Sequence, residues 1–274
     1  MAEFKKIGIV GCGAIGSSLA RVIVKDFTRE ARLVALYDIE AGKAESLSRK
    51  VSGSPKLAVS GLKEVISKSD LVIEASSARS SREIAAAVLS RGKDTMLMSV
   101  GGIIKHLTQL KLLCRRYGSH LYIPSGAISG IDALKAAVLE GADKVTLVTR
   151  KNPLSFKGVK YVEDKKIDLR KIRNDRVLFY GSAEEAVKYF PQNVNVAAVL
   201  SIAGIGRKRT KVKIIASPKA RRNIHEIEIE SKAARVYTRT ENILHPDNPK
   251  TSYLAVLAAV ATLKQILEPV KIGT

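Results

Sequence analysis

A glycine-rich turn between a short apolar strand and a helix constrains this chain most strongly. Near the N-terminus the sequence reads KIGIVGCGAIG, an apolar run that leads into a Gly-x-Gly-x-x-Gly pattern. The tight turn requires Gly11, close approach of a ligand to the backbone requires Gly13, and packing of the helix on the strand requires Gly16. Ala14 and Ile15 fall in the first helical turn, where free N–H groups and the helix dipole attract phosphate. This arrangement is typical of a dinucleotide-binding site.

An acidic residue ends the next predicted strand. Residues 32–38 read RLVALYD, and Asp38 falls about 20 residues beyond the glycine turn, where a carboxylate that binds the ribose hydroxyls is expected. The alternative interpretation is a turn residue that closes the strand. Because a carboxylate repels a 2′-phosphate, Asp38 favours NAD as the cofactor. Arg49 and Lys50 are close enough in sequence to keep NADP possible.

Composition excludes several classes of protein. The 274 residues are 46% hydrophobic, which is ample for a buried core. A net charge of +21 raises nucleic acid as a partner, but the basic residues are spread along the chain with two clusters, 207–211 and 219–222. We interpret these clusters as solvated loops that also attract anionic substrates, and we expect no nucleic-acid partner.

Targeting and cysteine signals point to the cytoplasm. The longest apolar stretch, residues 194–205, is too short to cross a bilayer, and the N-terminal strand leaves no room for a signal peptide. Cys12 and Cys114 form neither a disulfide framework nor a metal-ligand pattern, so we expect no metal. A reducing cytoplasm fits these features best.

The order of predicted strands and helices changes along the sequence and predicts two domains. Residues 1–124 alternate short apolar runs with helical stretches, which predicts an α/β domain with a Rossmann-type parallel sheet. Residues 125–251 predict a second, α+β domain with a mostly antiparallel sheet, in which 152–176 form a loop with a short strand. The last helix, 252–267, is apolar nearly all round, so we expect it to be buried, packed back on the first domain.

His225 is the candidate acid/base. In the sequence HEIEIE the strand period of two places His225 on one face with Ile227 and Ile229, and the glutamates on the other. An imidazole has a pKa close to neutrality, which suits proton transfer. A hydrogen-bonded histidine of the core is the alternative. His106, His120 and His245 are interpreted as structural.

Two asparagines precede an apolar helix in the sequence PQNVNVAA. Asn193 could simply cap the helix. Asn195 falls inside the apolar helix, where a buried amide requires partners such as a nicotinamide carboxamide or a substrate carboxylate.

Taken together, these motifs resemble one family. The glycine turn, SGAISG at 125–130, NVNVAA at 193–198, HEI at 225–227 and NPKTS at 248–252 resemble L-aspartate dehydrogenase over essentially the whole chain. The resemblance implies that His225 is the acid/base and that Ala127 and Asn195 contact the cofactor, with Asn193 as the alternative to Asn195. The stretch 152–171 is fuller than the family pattern.

The resemblance implies reversible, NAD(P)-dependent oxidative deamination of L-aspartate to iminoaspartate and ammonia, feeding NAD biosynthesis. The expected partner is therefore a dicarboxylic amino acid, and we also expect a homodimer. The alternatives are a related two-domain enzyme of the homoserine dehydrogenase or dihydrodipicolinate reductase type, or a nucleotide-sensing or nucleic-acid-binding protein.

Overall fold

The chain forms two compact units. The computed structural model describes residues 4–190, 195–246 and 248–273, and for 248–250 the backbone alone. The first unit runs to Pro124 and takes in Val256–Ile272, while the second consists mainly of Ser125–Ala255.

A parallel sheet forms the centre of the first unit. Within the described residues its five strands are β1 (Lys5–Val10), β2 (Ala31–Tyr37), β3 (Leu71–Glu74), β4 (Asp94–Leu97) and β5 (Leu121–Tyr122). The strand order is β2-β1-β3-β4-β5, and all neighbours are parallel. The connecting helices are α1 (Ala14–Asp26), α2 (Ala41–Ser52), α3 (Leu62–Lys68), α4 (Ser81–Leu89) and α5 (Leu107–Tyr117), with 3-10 helices at Pro55–Leu57 and Val100–Ile103. The predicted Rossmann-type sheet is confirmed.

Both faces of this sheet are covered. Ile7 and Ile9 of β1 pack in one core cluster with residues of α1 and α2, whereas Val10 packs in another with residues of α3 and α4. Alternate side chains of a strand point to opposite faces, so a strand that is buried on both sides reads as a continuous apolar run. This explains the uninterrupted hydrophobicity of β1 and β3.

A mixed sheet forms the centre of the second unit. In the described part of the chain its strands are β6 (Ala142–Lys151), β7 (Arg176–Ser182), β8 (Lys211–Ala216), β9 (Asn223–Ser231) and β10 (Arg235–Asn242), in the order β10-β9-β6-β8-β7. The β6–β8 pair is parallel and the others are antiparallel. The predicted mostly antiparallel sheet is therefore confirmed.

Helices and a small third sheet complete the described part of the chain. The remaining elements are α6 (Ile131–Ala137), α7 (Lys160–Asp164), α8 (Ala183–Tyr189), α9 (Asn195–Ala203), β11 (Leu244–His245), β12 (Asn248–Ser252) and α10 (Tyr253–Leu267), with 3-10 helices at Val138–Glu140, Pro153–Phe156 and Leu169–Lys171. Helix α8 begins with a capping box, in which the Ser182 hydroxyl and the Glu185 carboxylate each accept a backbone N–H of the other residue.

The interpretation of residues 152–176 as a loop with a short strand was wrong. The segment contains helix α7 between two 3-10 helices, and β7, which was not predicted, begins at its end. Aromatic packing explains the order: the ring of Tyr161 lies 5.1 Å from that of Phe190 and 5.9 Å from that of Phe179. Such a cluster has no periodicity along the sequence, so the charged residues around it concealed it.

The last helix, which we expected to be buried, is buried on one side only. Ala259 and Leu263 of α10 are fully buried in the core cluster that contains Ile7 and Ile9, whereas Leu257 is 45% exposed. The helix is thus buried along one stripe, as an amphipathic helix would be, although its other face is apolar too.

We expect Leu263→Ala to lower the free energy of unfolding by about 2–5 kcal/mol, because it leaves a cavity in a core that cannot fully collapse. Leu112 is 60% exposed on α5, so Leu112→Ala is the matched control and should cost less than about 1 kcal/mol. Urea unfolding followed by circular dichroism measures both. Equal losses for the two variants would contradict the core position of Leu263.

Candidate functional site

The three glycines of the turn after β1 have different surroundings. Two of them have no space for a side chain, whereas the third faces open space. Gly11 has φ +97°, and a Cβ there would lie 2.4 Å from the Ala75 carbonyl oxygen. A Cβ on Gly16 would lie 1.9 Å from the Gly11 carbonyl oxygen. A Cβ on Gly13 would meet no described atom within 4 Å. Gly11 and Gly16 are therefore required by the protein's own packing, whereas the space beside Gly13 can admit a ligand.

The N-terminus of α1 opens onto this space. Gly13 caps the helix without a side-chain hydrogen bond, and its first turn carries no acidic residue. The N–H groups of Ala14 and Ile15 belong to the first helical turn, where amides have no acceptor within the helix. The residues present therefore fit a pyrophosphate, which would supply those acceptors.

Asp38 is tied to the glycine turn. The Cys12 N–H donates to Asp38 Oδ2 at 2.7 Å, and the Glu40 N–H donates to Asp38 Oδ1 at 3.0 Å. The carboxylate thus closes a turn, as the alternative interpretation held, and it also brings β2 to the glycine turn. Each carboxylate oxygen can accept a second hydrogen bond, so ribose hydroxyls still have acceptors here. Beside it Ile39 is 91% exposed and offers an apolar surface to an adenine ring.

Glu74 holds together the loops at the carboxyl ends of two strands. Its Oε1 accepts the Ser76 N–H at 2.8 Å and the Ser76 hydroxyl at 2.7 Å, and its Oε2 accepts the Ser99 N–H at 3.0 Å. Ligands of open α/β sheets bind at the carboxyl ends of the strands, at the point where the strand order reverses. In this sheet that point lies between β1 and β3. Sequence reasoning did not assign Glu74 a role, although an acid that ends an apolar strand was the available signal.

Cys12 lies in the glycine turn but is not a nucleophile. Burial, and secondly the charge of Asp38, raises the pKa of its thiol to about 12. The thiolate, which is the reactive form, is therefore scarce at neutral pH. In the part of the chain that the structure describes, no group of three or more His, Cys, Asp or Glu side chains is arranged to hold a metal ion. Nor does any helix traced there combine the length and apolar character that crossing a bilayer demands.

In the second unit His225 lies on the inner face of the mixed sheet, which we define as the face that carries Val145, Leu147 and Ile227. His225 is 3% exposed and pairs across the β6–β9 ladder with Thr149, whose hydroxyl lies 3.0 Å from His225 Nδ1. The predicted face of His225 is thus confirmed. The opposite, outer face carries Glu226, whose carboxylate binds Arg150 and Arg239.

Lys151 is the residue that sequence reasoning missed. It is 9% exposed and follows Thr149 at the end of β6, on the same face. Burial lowers the pKa of Lys151 to about 8. Burial also lowers the pKa of His225 to about 3, with the positive charge of Lys151 as the second cause. The alternation Val145, Leu147, Thr149, Lys151 was the available signal, because it continues the inward positions of the strand.

The segment that contains Ala127 lies against the same end of the sheet. The side-chain amide of Asn242 on β10 donates to the Ala127 carbonyl oxygen at 3.1 Å, and the Ser129 hydroxyl lies 3.0 Å from that of Thr240. Thr240 pairs with His225 across the β9–β10 ladder. Ala127 and His225 are thereby brought to one end of the second unit. We call Thr149, Lys151, His225, Thr240 and Asn242 the polar cluster.

The expectations for Asn193 and Asn195 have different outcomes. Asn195 is the first described residue of α9 and is exposed, so the expectation that its amide is buried was wrong. Asn193 lies outside the described residues.

Comparison with known proteins now decides the family. The model described as "Aspartate dehydrogenase, C-terminal" matches residues 132–266, and "Homoserine dehydrogenase, NAD binding domain" matches residues 11–124. Proteins named L-aspartate dehydrogenase from Methanosarcina mazei and Nitrosopumilus maritimus are 45% and 36% identical, and each match covers 98% of this chain and at least 99% of the relative. The chain belongs to the L-aspartate dehydrogenase family. A crystal structure of aspartate dehydrogenase from Thermotoga maritima superposes with a TM-score of 0.76 at 24% identity, covering 99% of this chain and 100% of that one.

Family membership confirms the resemblance stated from the motifs. It also confirms an NAD(P) cofactor, for which the first unit carries the binding domain. A homoserine dehydrogenase from a hyperthermophilic archaeon, solved with NADPH, shares the fold with a TM-score of 0.60 at 12% identity.

We expect Gly13→Val to fold normally and to lose NADH binding by at least about a hundredfold, because its side chain would occupy space that the protein leaves open. Gly42, in α2, also has no neighbour within 4 Å of a Cβ, so Gly42→Val is the matched control. NADH fluorescence titration gives the affinity, and a thermal melt checks folding. Unchanged NADH affinity in a folded Gly13→Val protein would overturn the position assigned to the pyrophosphate.

Proposed function

We propose that this protein is an NAD(P)-dependent L-aspartate dehydrogenase. It oxidises L-aspartate to iminoaspartate, and water then releases ammonia from the C=N bond; the reverse direction aminates the keto acid. Iminoaspartate would feed NAD biosynthesis. The observation that carries the proposal is the buried imidazole of His225, held by Thr149 inside the unit that matches the aspartate dehydrogenase C-terminal model.

Each unit has a separate task in this reaction. In the first unit the amides at the start of α1 and the Asp38 carboxylate would hold the pyrophosphate and ribose of the cofactor. The cofactor, when bound, accepts the hydride that leaves the substrate Cα. The protein's own contribution is to bind the substrate, exclude water and move protons at the amino nitrogen.

His225 is proposed to move those protons. The contact of the Thr149 hydroxyl with Nδ1 orients the ring, which assigns Nε2 to the substrate. The ring is neutral at physiological pH, because burial lowers its pKa to about 3. A neutral imidazole can accept a proton from the substrate ammonium, or from the water that attacks the imine.

A homoserine dehydrogenase is the second candidate, since the first unit matches the NAD-binding domain model of that family. Reduction of NAD and NADP should therefore be followed with aspartate, homoserine and glutamate in parallel. Turnover of aspartate alone supports the proposal, turnover of homoserine alone would replace it, and salt-dependent DNA binding without turnover would favour the nucleic-acid alternative.

We also propose that the enzyme is a cytoplasmic homodimer. Both cysteines of the sequence, Cys12 and Cys114, are free thiols, which suits a reducing compartment. On the outer face Tyr180 is 64% exposed and Tyr237 59% exposed, which offers aromatic surface to a second copy. Light scattering coupled to size-exclusion chromatography measures the mass; a monomer at all concentrations would contradict the homodimer.

We expect His225→Ala to lower kcat with aspartate by about 10²–10⁴-fold, the contribution of a positioned acid/base, and to leave NADH affinity unchanged. His120, whose side chain is 68% exposed, gives the control His120→Ala. A histidine that only packs the core predicts a lower melting temperature with near-normal turnover. That result would move the search for the acid/base to His245.

We expect Asp38→Asn to narrow the preference for NAD over NADP by about tenfold or more, because it removes the charge that repels a 2′-phosphate. Asparagine keeps one side-chain oxygen for the Cys12 N–H, so the glycine turn is perturbed less than by alanine. Glu40→Gln removes an exposed charge two residues away and serves as the control. Dissociation constants of NADH and NADPH test this, and an unchanged ratio in Asp38→Asn would remove Asp38 from the cofactor site.

A further inference from the structure

The inner face of the mixed sheet changes character along its strands. On β6 the inward positions are Val145, Leu147, Thr149 and Lys151, so an apolar start gives way to polar residues at the end. The residues of β9 that pair with these positions change in the same way. Ile229 pairs with Val145, Ile227 with Leu147, and His225 with Thr149. The apolar part is core. The polar part is buried as well, and buried polar groups gathered in one place are typical of a binding site.

Hydrogen bonding within the polar cluster is incomplete. Asn242 is 1% exposed, and its amide nitrogen donates to the Ala127 carbonyl oxygen. Its Oδ1 is buried and accepts no hydrogen bond from any residue that the structure describes. A buried acceptor without a partner costs free energy unless a ligand or water supplies the donor. The cluster therefore has capacity for a polar ligand.

Lys151 supplies the cation of this cluster. Among the described residues it is the only lysine or arginine that is buried. Its neighbour Arg150 points to the outer face, where Glu226 Oε2 lies 3.1 Å and Asp175 Oδ2 2.7 Å from the guanidinium, so it does not face the polar cluster. Lys144, at the other end of β6, is exposed and bridged to Glu228 and Glu230.

We propose that the Lys151 ammonium binds a carboxylate of the dicarboxylic substrate, beside His225. The inference rests on the proposed function and adds to it the residue that recognises the substrate's charge. A buried ammonium is costly, and a bound carboxylate offsets that cost with a charge-assisted hydrogen bond. Substrate binding is thereby favoured at the one buried cation of the described chain.

The same contact prepares His225 for its task. Of the charged groups on the strands around the imidazole, Lys151 shares the inner face, whereas Glu226 and Arg239 lie on the outer face. The positive charge of Lys151 disfavours protonation of His225. A carboxylate on Lys151 cancels that charge, so the imidazole becomes more basic when substrate is bound. The acid/base would then be activated by its own substrate.

The test compares Lys151→Met, which keeps the length of the side chain without its charge, with Lys144→Met, the same change on the outer face of the same strand. Four quantities are measured: the aspartate KM and kcat, the Kd of NADH, the Kd of succinate and of propionate in the presence of NADH, and the pKa of His225 by NMR. Succinate is an unreactive dicarboxylate, and propionate is its monocarboxylate counterpart.

For Lys151→Met we expect the aspartate KM and the succinate Kd to rise by about ten- to a hundredfold, the value of a hydrogen bond between charged groups. NADH affinity should stay within about twofold, and the pKa of His225 should rise. Lys144→Met should match the wild type. Unchanged KM and succinate affinity in Lys151→Met would overturn the proposal, as would a fall in kcat alone, which would instead assign Lys151 to proton transfer.

Two further results are decisive if the variant does not fold or if the protein does not oxidise aspartate. If Lys151→Met does not fold, the Lys151 Cε and Hε resonances of the wild type are followed during succinate titration, and the absence of a shift would overturn it. If wild-type protein does not oxidise aspartate, the proposed function fails. Tighter binding of succinate than of propionate, lost in Lys151→Met, would still support the carboxylate site.

Discussion

The antiparallel pairing of β6 with β9 sets Thr149 opposite His225, and the chemistry of the second unit depends on that register. Side chains alternate between faces, so a slip by one residue would turn Glu226 inward and His225 outward. The apolar pairs Val145 with Ile229 and Leu147 with Ile227 stabilise the register, because a slip of β9 would turn Ile227 and Ile229 outward and leave Val145 and Leu147 without these partners. Hydrophobic pairing at one end of the sheet thus positions His225, the proposed acid/base, at the other.

Because His225 and Lys151 are buried, their contributions to the free energy of unfolding vary with pH. The pKa of His225 is about 3 in the folded protein and 6.5 in an ordinary imidazole, so between these values the unfolded chain binds more protons. The contribution of His225 to stability therefore falls as the pH falls through this window. For Lys151 the corresponding window runs from about 8 to 10.5, where stability rises with pH. Both residues disfavour the folded state at low pH, a cost that a merely structural core would not carry.

The glycine turn shows the opposite relation between packing and function. Gly11 and Gly16 have no space for a Cβ, so the fold itself demands glycine there. Gly13 has space to spare, so the fold would accept a larger residue. We propose that the space beside Gly13 receives the pyrophosphate of the cofactor, because Gly13 directly precedes the N-terminus of α1.

Much of this protein was readable from sequence, because local patterns carried the information. The glycine turn, the alternation of strands and helices in the first unit, the mostly antiparallel sheet of the second unit and the inward face of His225 follow from spacing alone. Periodicity states which residues share a face. It does not state which strands become neighbours, or how deeply a position is buried.

What remained was decided by contacts between distant segments. The aromatic cluster around Tyr161 orders a stretch whose sequence resembles a charged loop. Helix α10 is buried along one side only, although both of its sides are apolar. Lys151 reads as one of many lysines until the parallel pairing of β6 with β8 and the antiparallel pairing with β9 enclose it. The sequence by itself determined the residue types and their alternation. Tertiary structure alone determined the burial of Lys151, because desolvation depends on every neighbour at once.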